Sequence, residues 1–291
     1  MDWLVLSLLC AISMASADAA TKHWLADYSA RELVLVRFGY SAILLAPLLL
    51  ITPWPELPAS FWGWVGSMLP LEIVAMWLYM KAIRGTPLYL TLPYLAFTPV
   101  FVAVTGFLLL GERISLVGWA GILLVVVGAY RLNAATDTRP DGWFAPLRAI
   151  AYARGSRLML AVAVLYSLTS VMGKGALQYA PPLFFAPFYF CILGLATLVL
   201  FGVVARPPHS LLRSRLPQHL GVGALMAIMI ITHFAAIEQA EVAYMIAVKR
   251  TSLLFGIVYG TFLFGEPAPL RHLVAGALMV CGVMFVALGH A

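Results

Sequence analysis

Long apolar runs separated by short connections occupy almost the whole of this chain. No charged residue occurs between Lys174 and Arg206, and a second uncharged run extends over residues 85–111. A helix needs about 20 apolar residues to cross the hydrocarbon core of a bilayer, at about 1.5 Å of rise per residue. Inside a bilayer each backbone N–H and C=O group needs an internal partner, which a helix supplies. The runs therefore predict an all-α integral membrane protein.

The composition agrees with this interpretation. Hydrophobic residues make up 63% of the chain and charged residues 10%, and the mean hydropathy is +0.96, whereas soluble domains carry roughly 25% charged residues. The net charge of +6 does not indicate a nucleic-acid partner, because most of the basic residues fall in the connections between apolar runs. That distribution is typical of a protein oriented in a lipid bilayer.

Ten runs are long enough to be transmembrane helices, and we number them spans 1 to 10 in chain order. They cover residues 3–22, 32–52, 61–81, 87–110, 115–131, 157–178, 183–205, 219–240, 242–264 and 271–289. Span 1 resembles a signal peptide in part, but Asp2 precedes it where a basic residue is expected. We therefore interpret span 1 as a retained helix.

The two halves of the chain are similar to each other. A shift of 154 residues places Glu112 on Glu266, and near the first helix of each half a shift of 152 places Lys22 on Lys174. Weak internal similarity of this kind is typical of transporters built from repeats.

The repeats predict a division into two domains. The first covers residues 1–131, the second covers residues 157–291, and a polar linker of residues 132–156 joins them. Each domain would contain five helices. Because five is an odd number, the second repeat would be inverted in the membrane relative to the first.

Basic residues mark one set of connections. Those after odd-numbered spans contain most of the Lys and Arg residues, such as Lys22, Lys81 and Arg131, while only Arg113 follows an even-numbered span. Cytoplasmic connections carry the excess of Lys and Arg. This pattern predicts a bacterial inner (plasma) membrane protein with both termini outside, in the periplasm.

The order and duplication of short motifs resemble a known family. The motifs are Leu35-Val36-Arg37-Phe38 at the start of span 2, Gly111-Glu112-Arg113 after span 4 and Gly265-Glu266-Pro267 after span 9. In these the chain resembles the EamA-type members of the drug/metabolite transporter superfamily over nearly its whole length. The resemblance implies ten helices around a central cavity lined by spans 1, 3, 4, 6, 8 and 9, with spans 5 and 10 at the periphery.

Two acidic residues lie within predicted spans, where a charge needs a reason. Glu72 occupies the middle of span 3, and it is either a carrier of a coupling proton or one partner of a fixed ion pair. Asp18 precedes Lys22 by four residues, which puts both on one face of span 1. Either they form a local ion pair or Lys22 extends to the membrane interface. Arg37 near a helix end is interpreted as structural.

The adjacent cations Lys249 and Arg250 lie inside span 9. Neighbours on a regular helix point about 100° apart, so we expect one to reach the cavity and the other to pair with an acid such as Glu72 or Glu238. The pair is similar to one in the plastid sugar-phosphate/phosphate translocators, which implies oxyanion binding. Lys174 in span 6 would add a third cation. The alternative is a cluster of internal salt bridges without a substrate role.

Further candidates are weaker. His233 and Glu238 in span 8 are candidates for proton coupling, although a packing histidine and a hydrated helix-end carboxylate would look the same. The aromatic candidates for substrate contact are Trp77, Tyr79, Tyr94 and Tyr244. Most aromatic residues in membrane proteins instead pack or anchor helices at the interface.

These observations predict a secondary transporter. It would move a small anionic or zwitterionic organic metabolite by alternating access, coupled to protons or to anion exchange. The alternative is an exporter of amino acids or hydrophobic drugs. The sequence contains no P-loop and no recognisable catalytic arrangement, so an enzyme is not expected. Cys10, Cys191 and Cys281 each stand alone, so no metal or cofactor is expected. We expect a monomer, with a homodimer as the alternative.

Overall fold

The computed structural model describes a helical protein. It covers residues 2–85, 92–134, 154–204, 215–264 and 271–290. These residues form helices joined by short turns and contain no strand. Most of the predicted linker, at positions 135–153, lies outside the described residues, as does the Gly265-Glu266 dipeptide.

All ten predicted spans have an apolar helical counterpart in the described residues. Seven are long and apolar enough to cross a membrane: Trp3–Trp24, Ala30–Ile51, Ala59–Ala82, Arg154–Leu177, Pro182–Gly202, Leu216–Gln239 and Val242–Gly260. Spans 4, 5 and 10 contain the shorter apolar helices Tyr94–Leu110, Leu116–Arg131 and Val274–His290. The prediction of an all-α integral membrane protein is confirmed.

Local sequence signals set several helix ends. Span 2 begins with a capping box, in which the Ser29 hydroxyl accepts a bond from the Glu32 backbone N–H and the Glu32 carboxylate accepts one from the Ser29 N–H. Span 4 ends at Gly111, which has a φ of 71°. A left-handed backbone conformation favours glycine, and at this position it ends the helix. This turn directs Glu112 back across the end of the bundle.

Span 9 is interrupted at its cationic pair. One helix covers Val242–Lys249 and the next covers Ser252–Phe264, so Arg250 and Thr251 lie outside both. The helical turn is tighter here than in an α-helix, because the Thr251 N–H donates to the Val248 carbonyl, three residues earlier, at 3.0 Å. The interruption occurs without proline. Discontinuous helices of this kind form the binding sites of many transporters.

Span 4 has a related irregularity at the equivalent place. It begins with a 3-10 helix over Leu92–Phe97 and continues as an α-helix over Thr98–Leu110. The shift of 154 residues that relates the two halves places positions 92–97 on 246–251, which contain the interruption of span 9. Both repeats therefore tighten the same turn of their fourth helix.

The two halves of the chain pack against each other in an equivalent way. Span 1 packs along span 8 and span 6 packs along span 3, so that the first helix of each repeat contacts the third helix of the other. The fifth helices, spans 5 and 10, pack against each other. The cavity described below lies inside this arrangement.

Glycines bring spans 5 and 10 into backbone contact. A Cβ atom added to Gly282 would lie 2.7 Å from the Val125 nitrogen and 2.8 Å from the Gly121 carbonyl oxygen. Such distances are too short for any side chain, so these glycines permit the close approach of the two helices. The contact joins the last helix of one repeat to the last helix of the other.

Candidate functional site

A cavity lies inside the bundle, about halfway along spans 3 and 9. It has a volume of about 80 Å³ and seven spans contribute to its lining. The lining residues are Met14 of span 1; Arg37 and Phe38 of span 2; Met68, Glu72, Met76 and Tyr79 of span 3; Tyr166, Thr169 and Ser170 of span 6; Tyr189 and Phe190 of span 7; Met226, Met229, Ile230, His233 and Phe234 of span 8; and Ile246, Lys249 and Arg250 of span 9.

The walls differ from those that the sequence implied. The described residues of span 4 contribute nothing to the lining, whereas spans 2 and 7 do. Span 2 contains a π-helical turn over Val36–Tyr40, and the cavity residues Arg37 and Phe38 lie in this turn. π-helical turns frequently occur at functional sites. The second helix of each repeat is therefore part of the cavity wall.

Both cations of span 9 line the cavity. Lys249 is 9% exposed and Arg250 is 4% exposed, and neither has a carboxylate within 4.0 Å in the described parts of the chain. The expectation that one of them pairs with Glu72 or Glu238 was wrong. The interruption of span 9 follows Lys249 directly, so the two side chains are not held to the spacing of a regular helix.

The environments of the two cations differ. Lys249 Nζ lies 3.4 Å from Nδ1 of His233 and 3.6 Å from Sδ of Met229. The Nε atom of Arg250 is buried without any hydrogen-bond partner. A buried guanidinium without a carboxylate has a high free energy, which a bound anion would lower.

Glu72 is a second group without an ion-pair partner. Its carboxylate lies in the cavity wall on span 3, beside Thr169 of span 6. No basic side chain among the described residues lies within 4.0 Å of it. Among the described residues that line the cavity, Lys249, Arg250 and Glu72 are thus charged groups without a direct ion-pair contact, whereas the lining cation Arg37 has a partner, described next.

Asp18 does have a partner, but it is not the predicted one. The Asp18 carboxylate forms an ion pair with Arg37, and it accepts a hydrogen bond of 3.4 Å from the Tyr79 hydroxyl. Arg37 also donates to the Thr21 hydroxyl. Of the two alternatives that the sequence left open for Lys22, the structure agrees with the second, because Asp18 pairs with Arg37 and Lys22 is exposed near the end of span 1. This ion pair joins spans 1 and 2 next to the cavity.

Lys174 lies outside the cavity and has a partner. Its ammonium group lies 2.7 Å from Oε1 of Glu112 and 2.7 Å from the Ala240 carbonyl oxygen. Glu112 also accepts a bond of 3.1 Å from the Val242 N–H, at the start of span 9. The expectation that Lys174 faces the cavity was wrong. Lys174 and Glu112 instead fasten spans 4, 6 and 9 together at one end of the bundle.

The remaining candidates divide between the cavity and other places. Tyr79 and His233 line the cavity. Trp77 contacts Lys81 at 4.0 Å in a cation–π pair, and Glu238 is exposed at the end of span 8. Tyr94 is buried in the packing core, outside the lining.

Tyr244 is also outside the cavity lining. Its hydroxyl bonds to Ser115 and to the Gly289 carbonyl at the end of the bundle. There it ties the start of span 9 to spans 5 and 10.

One polar residue of the cavity was not predicted. Tyr189 brings a hydroxyl group to the lining from span 7, where it is buried without a partner, in addition to the hydroxyl group of Tyr166 on span 6. No sequence signal separates Tyr189 from the aromatic residues around it. The distribution of methionine was a better signal, since five of the lining residues are methionines in a chain that has 12.

Metal-ligating side chains do not cluster in the described residues. No group of three or more His, Cys, Asp or Glu residues could hold a metal ion there, and the three cysteines are free thiols. The chemistry available in the cavity is therefore that of cations, one carboxylate, hydroxyl groups and apolar side chains.

A comparison with protein families identifies the chain. The model of the EamA-like transporter family matches residues 1–134 and again residues 153–288. The chain belongs to the EamA-like transporter family. It is a multi-pass membrane protein of a transporter family. One match covers the first half of this EamA-like transporter and the other covers the second half.

Individual relatives support the same assignment. An uncharacterized transporter of Methanothermobacter thermautotrophicus is 24% identical over 191 residues, which cover 64% of this chain. The chain spans about half of that relative's length, 53%. A crystal structure with 15% sequence identity has a TM-score of 0.74 and covers 98% of this chain and 97% of its own. That likeness concerns the fold alone.

Proposed function

We propose that this EamA-like transporter carries a small anionic or zwitterionic organic metabolite by alternating access, and that Lys249 and Arg250 hold its anionic group. The observation that carries the proposal is the position of these two cations. Both line a buried cavity, and neither has a carboxylate partner among the described residues. A negatively charged group of the substrate would neutralise the two cations.

The chemistry of the two side chains suits an oxyanion. A guanidinium can donate two parallel hydrogen bonds to a carboxylate or phosphate, and an ammonium group adds a compact point charge. The attraction is strong in a cavity from which water is largely excluded. The positions equivalent to Lys249 and Arg250 in the first repeat are Leu95 and Ala96. The repeats therefore supply an anion site on one side of the cavity only.

Glu72 is our candidate for proton coupling. It is the lining carboxylate without an ion-pair partner, so protonation would change the charge of the cavity by one unit without breaking an ion pair. The competing mode is exchange, in which a counter-anion displaces the substrate from the cations. Coupling is tested in proteoliposomes by imposing a pH gradient. We expect the wild type to respond to the gradient and Glu72→Gln to lose the response.

Uptake into proteoliposomes tests the anion site. Arg250→Ala and Lys249→Ala should lower the rate of carboxylate or phosphate-ester uptake at least tenfold. Arg215→Ala is the matched control, because Arg215 pairs with Asp27 on the surface and its loss should leave uptake near the wild-type rate. Unchanged anion uptake in both span 9 variants would contradict the proposal.

A second candidate function is export of amino acids or hydrophobic drugs. It is favoured by the apolar share of the lining, which includes the aromatic residues Phe38, Phe190 and Phe234. In that case the cations would be structural. Transport of neutral or aromatic amino acids at an unchanged rate in Arg250→Ala would favour this candidate over the first.

We further propose a bacterial inner membrane location with both termini outside. The ring of Trp3 lies 5.0 Å from that of His290, so the described ends of the chain are at one end of the bundle. Single cysteines at Ser115 and Asp27 test the orientation in intact cells, in a background where the three native cysteines are replaced. A membrane-impermeant maleimide should label position 115 and not position 27, and the reverse would overturn the orientation.

A further inference from the structure

One wall of the cavity is rich in methionine. We call the set of Met14, Met68, Met76, Met226 and Met229 the methionine wall; its members come from spans 1, 3 and 8. Five of the chain's 12 methionines are thus among the residues around a single cavity. Methionine side chains are unbranched, polarizable and flexible, and they adapt to apolar ligands of different shape.

Phenylalanine and isoleucine extend this apolar surface. Phe190, Phe234, Ile230 and Ile246 add further apolar side chains to the lining of the same cavity. A ligand hydroxyl placed against such side chains would lose its hydrogen bonds to water without replacement, which is costly. The methionine wall therefore disfavours ligands with many hydroxyl groups.

Several polar groups of the lining besides Lys249 and Arg250 already have partners, which leaves mainly Glu72, Ser170 and the hydroxyl groups of Tyr166 and Tyr189 for a ligand. The Arg37 guanidinium and the Tyr79 hydroxyl are both engaged by Asp18, and Thr169 lies beside Glu72. The Tyr189 hydroxyl is buried without a partner. A sugar phosphate, which presents several hydroxyl groups together with its anionic group, would leave most of them unsatisfied.

The size of the cavity fits a small ligand. Its volume is about 80 Å³, and about 10–15 Å³ of such volume is enough to hold one water molecule. Side chains with three rotatable bonds can rearrange around a longer ligand with little strain. The methionine wall can thus widen where a wall of branched side chains would resist.

We propose that the cavity selects amphiphilic organic anions. The oxyanion head binds Lys249 and Arg250, and an unbranched or aromatic hydrocarbon body packs against the methionine wall; polyhydroxylated anions bind weakly. This proposal rests on the proposed function, because it uses the same cations for the head group. It adds that the rest of the substrate, beyond its anionic group, is apolar.

Calorimetric titration of the purified transporter in nanodiscs tests the selection. Hexanoate and gluconate are the decisive pair, since both are six-carbon monocarboxylates and only gluconate is polyhydroxylated. We expect hexanoate to bind at least tenfold more tightly. Across acetate, butyrate and hexanoate, affinity should rise about threefold to fourfold for each added methylene. Equal affinities for hexanoate and gluconate would overturn the proposal.

Substitutions at Met226 test whether the methionine wall is responsible. Met226→Gln keeps a similar shape but adds an amide, and it should reduce the preference for hexanoate over gluconate at least fivefold. Met226→Leu remains apolar and should preserve the preference. Met76→Gln provides a second test on span 3 if Met226→Gln does not fold. An unchanged preference in the glutamine variants would refute the role of the methionine wall.

The double variant Lys249→Ala/Arg250→Ala separates this proposal from the proposed function. Nanodiscs without protein measure partitioning of hexanoate into the lipid, which is subtracted from each titration, that of the double variant included. If hexanoate and gluconate bind the double variant as tightly as the wild type, the anion site itself fails. If both anions need the cations but bind equally well, only the selection of an apolar body fails.

Discussion

The Lys249 ammonium group lies 3.4 Å from Nδ1 of His233, and both side chains are buried in the cavity wall. Two cations at this distance would repel each other strongly in a medium of low dielectric constant. The contact is favourable when Nδ1 carries no proton and accepts a bond from Lys249. His233 then positions the ammonium group, and the anion that we propose as substrate supplies the negative charge.

The first prediction concerns this contact. His233→Leu removes the nitrogen acceptor of Lys249, so among the described residues the Met229 sulfur would be the remaining hydrogen-bond acceptor of the buried ammonium group. We expect anion affinity to fall about tenfold, as measured by titration of hexanoate. His233→Asn keeps an acceptor and should lose less. Equal losses in the two variants would argue that only the size of the imidazole matters.

The second prediction uses the unequal burial of the Asp18–Arg37 pair, whose side chains are 36% and 3% exposed, respectively. Asp18→Ala leaves a buried guanidinium without its carboxylate, whereas Arg37→Met leaves a carboxylate that can be hydrated. Breaking a fully buried pair costs about 3–5 kcal/mol. Because Asp18 is partly exposed, we expect Asp18→Ala to lower the free energy of unfolding by about 2 kcal/mol.

Arg37→Met should cost less than Asp18→Ala, and the double variant should recover part of the loss. Thermal unfolding in detergent measures all three. An opposite order of the two single variants would show that the guanidinium is not the group that needs neutralising.

The third prediction separates two roles of Glu112. Its carboxylate pairs with Lys174 at 2.7 Å and caps the start of span 9 by accepting from the Val242 N–H. Glu112→Gln keeps an acceptor for Val242 and loses the charge, whereas Glu112→Ala loses both. Loss of a helix cap costs about 0.5–2 kcal/mol, so we expect Glu112→Ala to be the less stable variant in thermal unfolding.

A charge swap checks the same assignment. Glu112→Lys combined with Lys174→Glu could restore the ion pair but not the cap, since an ammonium group cannot accept a bond from Val242. We expect partial recovery of stability at most. Full recovery would show that the cap contributes nothing.

The fourth prediction compares two glycines of span 10. A methyl group at Gly282 would meet backbone atoms of span 5 at 2.7–2.8 Å, whereas one at Gly276 would meet only the Leu254 side chain at 3.5 Å. Overpacking typically costs about 1–3 kcal/mol. We expect Gly282→Ala to lower the melting temperature in detergent and Gly276→Ala to leave it unchanged. Similar effects at both positions would contradict the close contact.

The helices were predictable because bilayer thickness fixes the length of a span and because lipid excludes polar side chains. The midpoint acid Glu72 and the cations Lys249 and Arg250 were predicted to matter for the same reason, and all three line the cavity. These signals are local. Each depends on what surrounds a residue within about one span of sequence.

The partners of charged residues were not predictable from local sequence. For Asp18 the helical spacing offered Lys22, four residues away, as one possible partner, but Asp18 pairs with Arg37 of the next span. Lys174 pairs with Glu112, 62 residues earlier in the chain. Both choices depend on how helices are arranged around each other. The interruption at Arg250 and Thr251 was missed because no proline marks it.

The glycine contact between spans 5 and 10 restricts how the molecule can move. Where backbones touch at Gly121 and Gly282, one helix cannot slide or rotate past the other without a steric clash. We therefore expect these two helices to behave as one rigid unit. If the cavity opens to each side of the membrane in turn, as the proposed function requires, we expect the movement to take place in the spans outside this pair.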